Sequence, residues 1–172
     1  MDLRDLIERY PRLYHMAERD AWPSVKANGL LSTSAVLDRF AVNGVRRKEL
    51  EDSHRGEKIF VGPDSSRIVL RDQKPMTPSR LRYALIDGTT PEQWYTFLNG
   101  RVFMWAREER LFGLLGARSY RTHEHDVLTI DAEPLLTKYE QTVWLCRMNS
   151  GNTWPVPHER GLDDFKRIGV NP

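Results

Sequence analysis

Tyr14-His15 lies in a short mixed run, Leu13 to Met16. Near neutral pH an imidazole donates from one nitrogen and accepts at the other, so a His in mid-strand can hold a sugar hydroxyl. Its other ordinary role is a structural hydrogen bond. Ser32, Thr33 and Ser34 follow Asn28-Gly29 and offer three hydroxyls to a sugar or a pyrophosphate, aided by the positive end of a following helix. Plain helix capping accounts for them equally well. Arg46 and Arg47 suit a pyrophosphate because the guanidinium fork makes paired, charge-assisted bonds, although solvation of a surface is the commoner duty. Arg71 ends an apolar run before a proline-bearing loop and can meet a phosphate or pair with Asp72.

Trp105 closes the run Arg101-Val102-Phe103-Met104-Trp105 and can wall a slot for a flat ring or fill a core, with Arg107 just beyond it in reach of a phosphate. Glu140 can stabilise positive charge that develops on a reacting sugar or stand as an exposed carboxylate, and Glu159 is held in reserve. Asn149-Ser150-Gly151-Asn152 is a polar turn whose amides and N–H groups can face a ligand, and it is also ordinary turn composition. His123, His125 and His158 suggest a metal, but no further ligand sits at a telling distance, so none is assigned. Cys146 lies inside an apolar run without an adjacent base and is expected to be a buried small hydrophobe.

The elements that must carry these groups follow from periodicity. Leu3, Leu6, Ile7 and Tyr10 predict a helix closed by Pro11, and Arg12 to Met16 predicts the first strand. A helix starts near Asp20 and stops at Asn28-Gly29, and Ser32 to Ser34 cap the next one. Asn43 to Lys58 is polar and is expected to be a mobile connection. Lys58–Val61 and Arg67–Leu70 predict two short strands around Gly62-Pro63-Asp64, and Gln73 to Pro78 a loop. Arg80 to Ile86 predicts a short helix. Thr90-Pro91 opens another helix that ends at Asn99-Gly100. Arg101 to Trp105 is the strongest strand prediction. A helix over Glu108–Leu115, a strand over Asp126–Ile130, a helical turn to Tyr139 and a strand over Thr142–Met148 follow, and the tail from Trp154 shows little periodicity. Helices and strands mix without βαβ alternation, which favours α+β.

The chain of 172 residues has room for one domain, residues 1–172, with one core. Its net charge of +2 imposes no global field towards nucleic acid or an anionic membrane. The charge is uneven: residues 39–82 hold eleven Lys/Arg against six Asp/Glu. One cysteine excludes an intrachain disulfide and fits a reducing compartment. The charged N-terminus has no signal-peptide core, and no run of apolar residues is long enough to span a membrane, so a cytoplasmic protein is expected.

Tyr14-His15-Met16, the helix with Pro23-Ser24-Val25, and Asn28-Gly29-Leu30 together resemble the opening of DarT-type ADP-ribosyltransferases. Arg101 to Arg107 followed by a helix resembles that family's aromatic strand and Arg-bearing turn. The chain is also similar to small bacterial proteins that share Arg71-Asp72-Gln73-Lys74-Pro75 and Asn149-Ser150-Gly151. The resemblance covers about two thirds of the chain. It implies an ADP-ribosyltransferase-like split β-sheet that takes NAD as substrate, with His15, Glu140 and Arg71 as catalytic candidates. Tyr14, His15, Ser32, Thr33, Arg47, Trp105, Asn149 and Ser150 are the implied NAD-binding set. The implied acceptor is nucleic acid, DNA or RNA. The implied setting is a toxin or defence effector with an antitoxin or immunity partner. The family's catalytic-strand Glu pattern is missing, and Glu140 is the nearest carboxylate. A glycohydrolase or phosphotransferase on the same fold, or a binding module without catalysis, are the alternatives.

Overall fold

Leu6 is buried on the helix that opens the chain, α1 (Leu3–Arg9). Asp2 caps that helix by accepting from the Asp5 N–H at 2.8 Å. The computed structural model describes residues 2–72, 76–153 and 155–168. After Pro11 comes β1 (Arg12–Glu18), where strand alternation buries Leu13 and Ala17 on one face. Next, α2 (Trp22–Asn28) stops at Gly29, whose φ of +79° is the left-handed conformation that ends helices. Ser32 caps α3 (Thr33–Arg39) by accepting from the Ala35 N–H at 3.2 Å. The chain continues through α4 (Gly44–Glu51), β2 (Ile59–Val61), β3 (Ile68–Leu70) and α5 (Pro78–Arg82). A capping box between Thr90 and Gln93 starts α6 (Pro91–Asn99). Then come α7 (Glu108–Leu115), β4 (His125–Asp131), α8 (Ala132–Tyr139), β5 (Trp144–Cys146) and β6 (Phe165–Arg167).

The described strands pair as three small antiparallel sheets: β1 with β4, β2 with β3, and β5 with β6. The class is α+β, as the mixed element order implied. The chain forms two compact units. One comprises Met1–Pro23, Phe103–Cys146 and Phe165–Pro172, and the other Ser24–Val102 and Arg147–Asp164. In the first, Leu6, Leu13, Ala132 and Leu136 form the core under α1 and α8. In the second, Val36, Leu37, Leu50, Val61 and Leu70 form the core between α3, α4 and the β2–β3 pair. Among the described residues no helix is long and apolar enough to cross a membrane.

Four expectations about local structure need correction. Arg101 to Trp105 is not a strand, because only Trp105 bonds to β1, exchanging both backbone hydrogen bonds with Tyr14 at 2.9 and 2.8 Å. The carbonyl of Phe103, which a ladder would bond to backbone, is taken by a side chain instead. The polar stretch from Asn43 is not a mobile connection through its first half, because α4 forms there around buried Leu50. Glu140 does not precede a strand directly. It opens a 3-10 turn, Glu140–Thr142, and β5 begins later. The tail holds a strand, β6, anchored by buried Phe165 opposite Cys146. The expected loop at Gln73 to Pro75 and the position of Trp154 lie outside the described residues.

Candidate functional site

In the first unit the structure brings the backbone of Tyr14-His15 against that of Phe103 and Trp105, with Tyr14 and Trp105 on one face of β1 and His15 on the other. Tyr14 is bonded by its backbone to Trp105, and the next residue, His15, is tied by Nδ1 to the Phe103 carbonyl at 2.8 Å. A carbonyl oxygen only accepts, so Nδ1 donates, and the neutral ring carries its acceptor on Nε2. The other edge of β1 is closed by β4, with His15 opposite Leu128. The histidine therefore sits on backbone held from both sides, and its ring is oriented by a partner 88 residues away in sequence. Tyr14, His15 and Trp105 are all partly buried. Glu140 is exposed on its turn at the end of α8, where its carbonyl accepts from the Val143 N–H at 3.3 Å.

The remaining candidates lie in the second unit, and most have structural partners. Ser32 spends its hydroxyl on capping α3, and Thr33 is the first residue of that helix. Arg47 is engaged by carboxylates, with Nε on Glu51 at 2.9 Å and an Nη on Asp38 at 2.5 Å. Ser34 adds a hydroxyl bond to Glu51 at 2.5 Å, so α3 and α4 are clamped by one polar cluster. Burial pushes the Glu51 carboxyl up, but the hydrogen bonds from Arg47 and Ser34 outweigh it and hold the group below its ordinary range. Hydrogen bonds to Glu51 and Asp38 hold the Arg47 guanidinium still more firmly protonated. Arg71 is half-buried just past β3. Asn149 accepts from the Gly151 N–H at 3.1 Å and so shapes its own turn. Ser150 is buried, and its carbonyl accepts from Arg160 at 3.1 Å.

Sequence reasoning missed two buried arginine networks in this unit. Arg55 bonds Asp72 through its backbone N–H at 2.6 Å and through its guanidinium, which also reaches the Leu50 carbonyl at 2.6 Å and the Asn99 amide oxygen at 2.7 Å. Asn99 in turn donates to the Glu51 carbonyl at 2.8 Å. Arg160, 1% exposed, donates to the carbonyls of His158, Ser150 and Asn152 at 3.0, 3.1 and 2.8 Å. Arg80 does the same for Thr153 and Pro155. Together Arg80 and Arg160 hold the carbonyls of Ser150, Asn152, Thr153, Pro155 and His158, so guanidinium groups brace the polar turn that Asn149 shapes. Asn99-Gly100 carried only a helix-stop signal, and no local pattern marks a bond from Asn99 to Arg55.

His123 and His125 do not share a strand. β4 begins at His125, and the two rings stand 6.4 Å apart between centroids. Among the described residues no group of three His, Cys, Asp or Glu side chains is placed to hold a metal ion.

Residues 11–171 match the model of a family described as a family of unknown function, DUF7002, and the chain belongs to that family. Neither the curated proteins nor the solved structures contain a match to it.

Proposed function

We propose that this DUF7002 protein is an NAD-dependent ADP-ribosyltransferase on a split-sheet fold, with nucleic acid as the acceptor class. The observation that carries the reading is the junction at β1. A Tyr-His pair is hydrogen-bonded, backbone and ring, to an aromatic segment that ends in Trp105. In this reading His15 presents Nε2 to a ribose hydroxyl while Phe103 holds Nδ1. The chemistry is substitution at the ribose carbon that bears nicotinamide. The C–N bond to nicotinamide breaks with its electron pair leaving on the ring, and a nucleophilic atom of the acceptor bonds to the same carbon and loses a proton. A carboxylate near that carbon would stabilise the positive charge that develops.

The reading rests on residues of the first unit alone, because Ser32 and Arg47 already have structural partners. The exposed position of Glu140 favours a second reading, an NAD-binding module without turnover. Incubation with NAD, with and without single-stranded DNA or RNA, separates the two. Nicotinamide release that rises with nucleic acid and collapses in His15→Ala supports the transferase. A rise in melting temperature with NAD but no release supports the binding module. Neither effect removes both readings.

A further inference from the structure

Beside the His15 junction, the first unit has an open cleft of about 620 Å³, within the size range of small-ligand sites. Arg9, Arg12, Arg107 and Arg110 line it, with Tyr10 and Tyr14 as its aromatic walls. Strand alternation puts Arg12 and Tyr14 on one face of β1 and His15 on the other, and His15 is not part of the lining.

The four guanidiniums differ from four arginines of the second unit. Arg47, Arg55, Arg80 and Arg160 are each bonded to carboxylates or carbonyls. Among the described residues the guanidiniums of Arg9, Arg12, Arg107 and Arg110 have no hydrogen bond or ion pair, and Arg9 only stacks 5.6 Å from the Tyr10 ring centroid. Glu108 and Glu109 reach the same cleft and pair with none of them. Both sit in the first turn of α7, where negative charge complements the helix dipole. Arg107, at the N-cap of α7, gives that helix no side-chain cap. The lining sets four positive charges against two negative ones, Glu108 and Glu109, and that excess favours a multiply charged anion. The guanidinium fork matches phosphate oxygens, and a tyrosine ring offers a stacking face to a base.

We propose that this cleft is a phosphate-binding site on the face of β1 opposite His15, for a ligand that carries two or more phosphates next to an aromatic base. A free nucleoside triphosphate and a nucleic-acid strand share that chemistry. The site shares Tyr14 with the implied NAD-binding set but does not use His15, on which the proposed turnover depends.

The test titrates the full chain with ATP by calorimetry. A fluorescein-labelled single strand of about 12 nucleotides, long enough to span a groove of this kind, is titrated by anisotropy. Each charge-assisted bond lost should weaken binding about ten-fold. Arg12→Ala and Arg107→Ala should therefore each weaken the tighter probe about ten-fold, and their combination more. Arg46→Ala, a change at an exposed arginine of the second unit, should leave it unchanged. His15→Ala should also bind as the wild type does, so failure of the NAD reading leaves this result standing. Tighter binding of ATP assigns a free nucleotide. Tighter binding of the strand, with affinity falling steeply with salt, assigns nucleic acid. Absence of saturable binding for both probes overturns the proposal. So does equal binding by the Arg12→Ala/Arg107→Ala protein with an unchanged melting temperature.

Discussion

His15→Asn and His15→Gln divide the work of one ring between its two nitrogens. The asparagine amide falls close to Nδ1 and can keep the donation to the Phe103 carbonyl, 2.8 Å in the structure. The glutamine amide reaches the position of Nε2 and gives up that bond. A hydrogen bond between partly buried groups contributes about 1 kcal/mol net. In a chain of 172 residues that corresponds to a melting shift of about 2–4 °C. On the functional side, losing one hydrogen bond to bound NAD costs about ten-fold in affinity. If the bond strengthens as charge develops, turnover falls by about 10²- to 10³-fold. His15→Asn should thus melt with the wild type yet release nicotinamide at least ten-fold more slowly. His15→Gln should melt lower and keep the larger share of release. Scanning calorimetry and a nicotinamide assay on the same preparations read both axes. Wild-type release from His15→Asn together with loss in His15→Gln would refute the assignment, because Nδ1 and not Nε2 would then be the working atom.

Three further outcomes concern the second unit. Asp72→Ala leaves the Arg55 guanidinium, whose side chain is 5% exposed, without its carboxylate. Breaking such a pair costs about 3–5 kcal/mol, read as a lower urea midpoint. A combined Arg55→Met/Asp72→Leu protein should recover much of that loss. Gly62 has φ +98°, and a Cβ there would meet the Phe40 ring at 2.5 Å, so Gly62→Ala should cost at least about 1–3 kcal/mol. Adding Phe40→Leu should return part of it. Glu51 is held below its ordinary pKa, so its contribution is present above the unfolded value of about 4.3 and disappears as pH falls through the folded value. Urea midpoints of the wild type and Glu51→Gln should therefore differ at pH 7 and converge in acid. A constant gap across that window would mean that Glu51 acts through packing alone.

Legibility in the sequence followed the range of the signal. Short-range chemistry was readable: Ser32 before α3, Thr90-Pro91 at the start of α6 and Gly29 after α2 each act within four residues. Apolar residues at helical spacing, Leu3, Leu6, Ile7 and Tyr10, marked α1 in the same way. α4 escaped because its apolar content is thin. Leu50 alone is buried there, and the helix leans on Arg47–Glu51, an i,i+4 pair that a tally of polar residues hides. Arg101 to Trp105 misled in the opposite sense. Its composition suits a strand, but a strand needs a ladder, and the carbonyl of Phe103 found a ring nitrogen in place of a backbone partner.

The same distinction decides what could be seen of function. An Arg in the sequence is only a charge, and its meaning lies in what it faces. Arg47 looked like a phosphate ligand and faces Asp38 and Glu51. Arg55 and Arg160 carried no signal and are among the most enclosed side chains of their unit. Arg9, Arg12 and Arg110 drew no notice, yet they share a cleft with Arg107 and have no hydrogen bond or ion pair among the described residues. A buried guanidinium must be satisfied internally, because an unpaired buried charge is too costly to keep. The arginines free to meet a ligand are therefore those that stay solvated and still converge. By that criterion anion chemistry in this chain belongs to the Arg12–Tyr14 face of β1, while the basic excess of residues 39–82 includes the clamp of α3 to α4 and the Arg55–Asp72 pair.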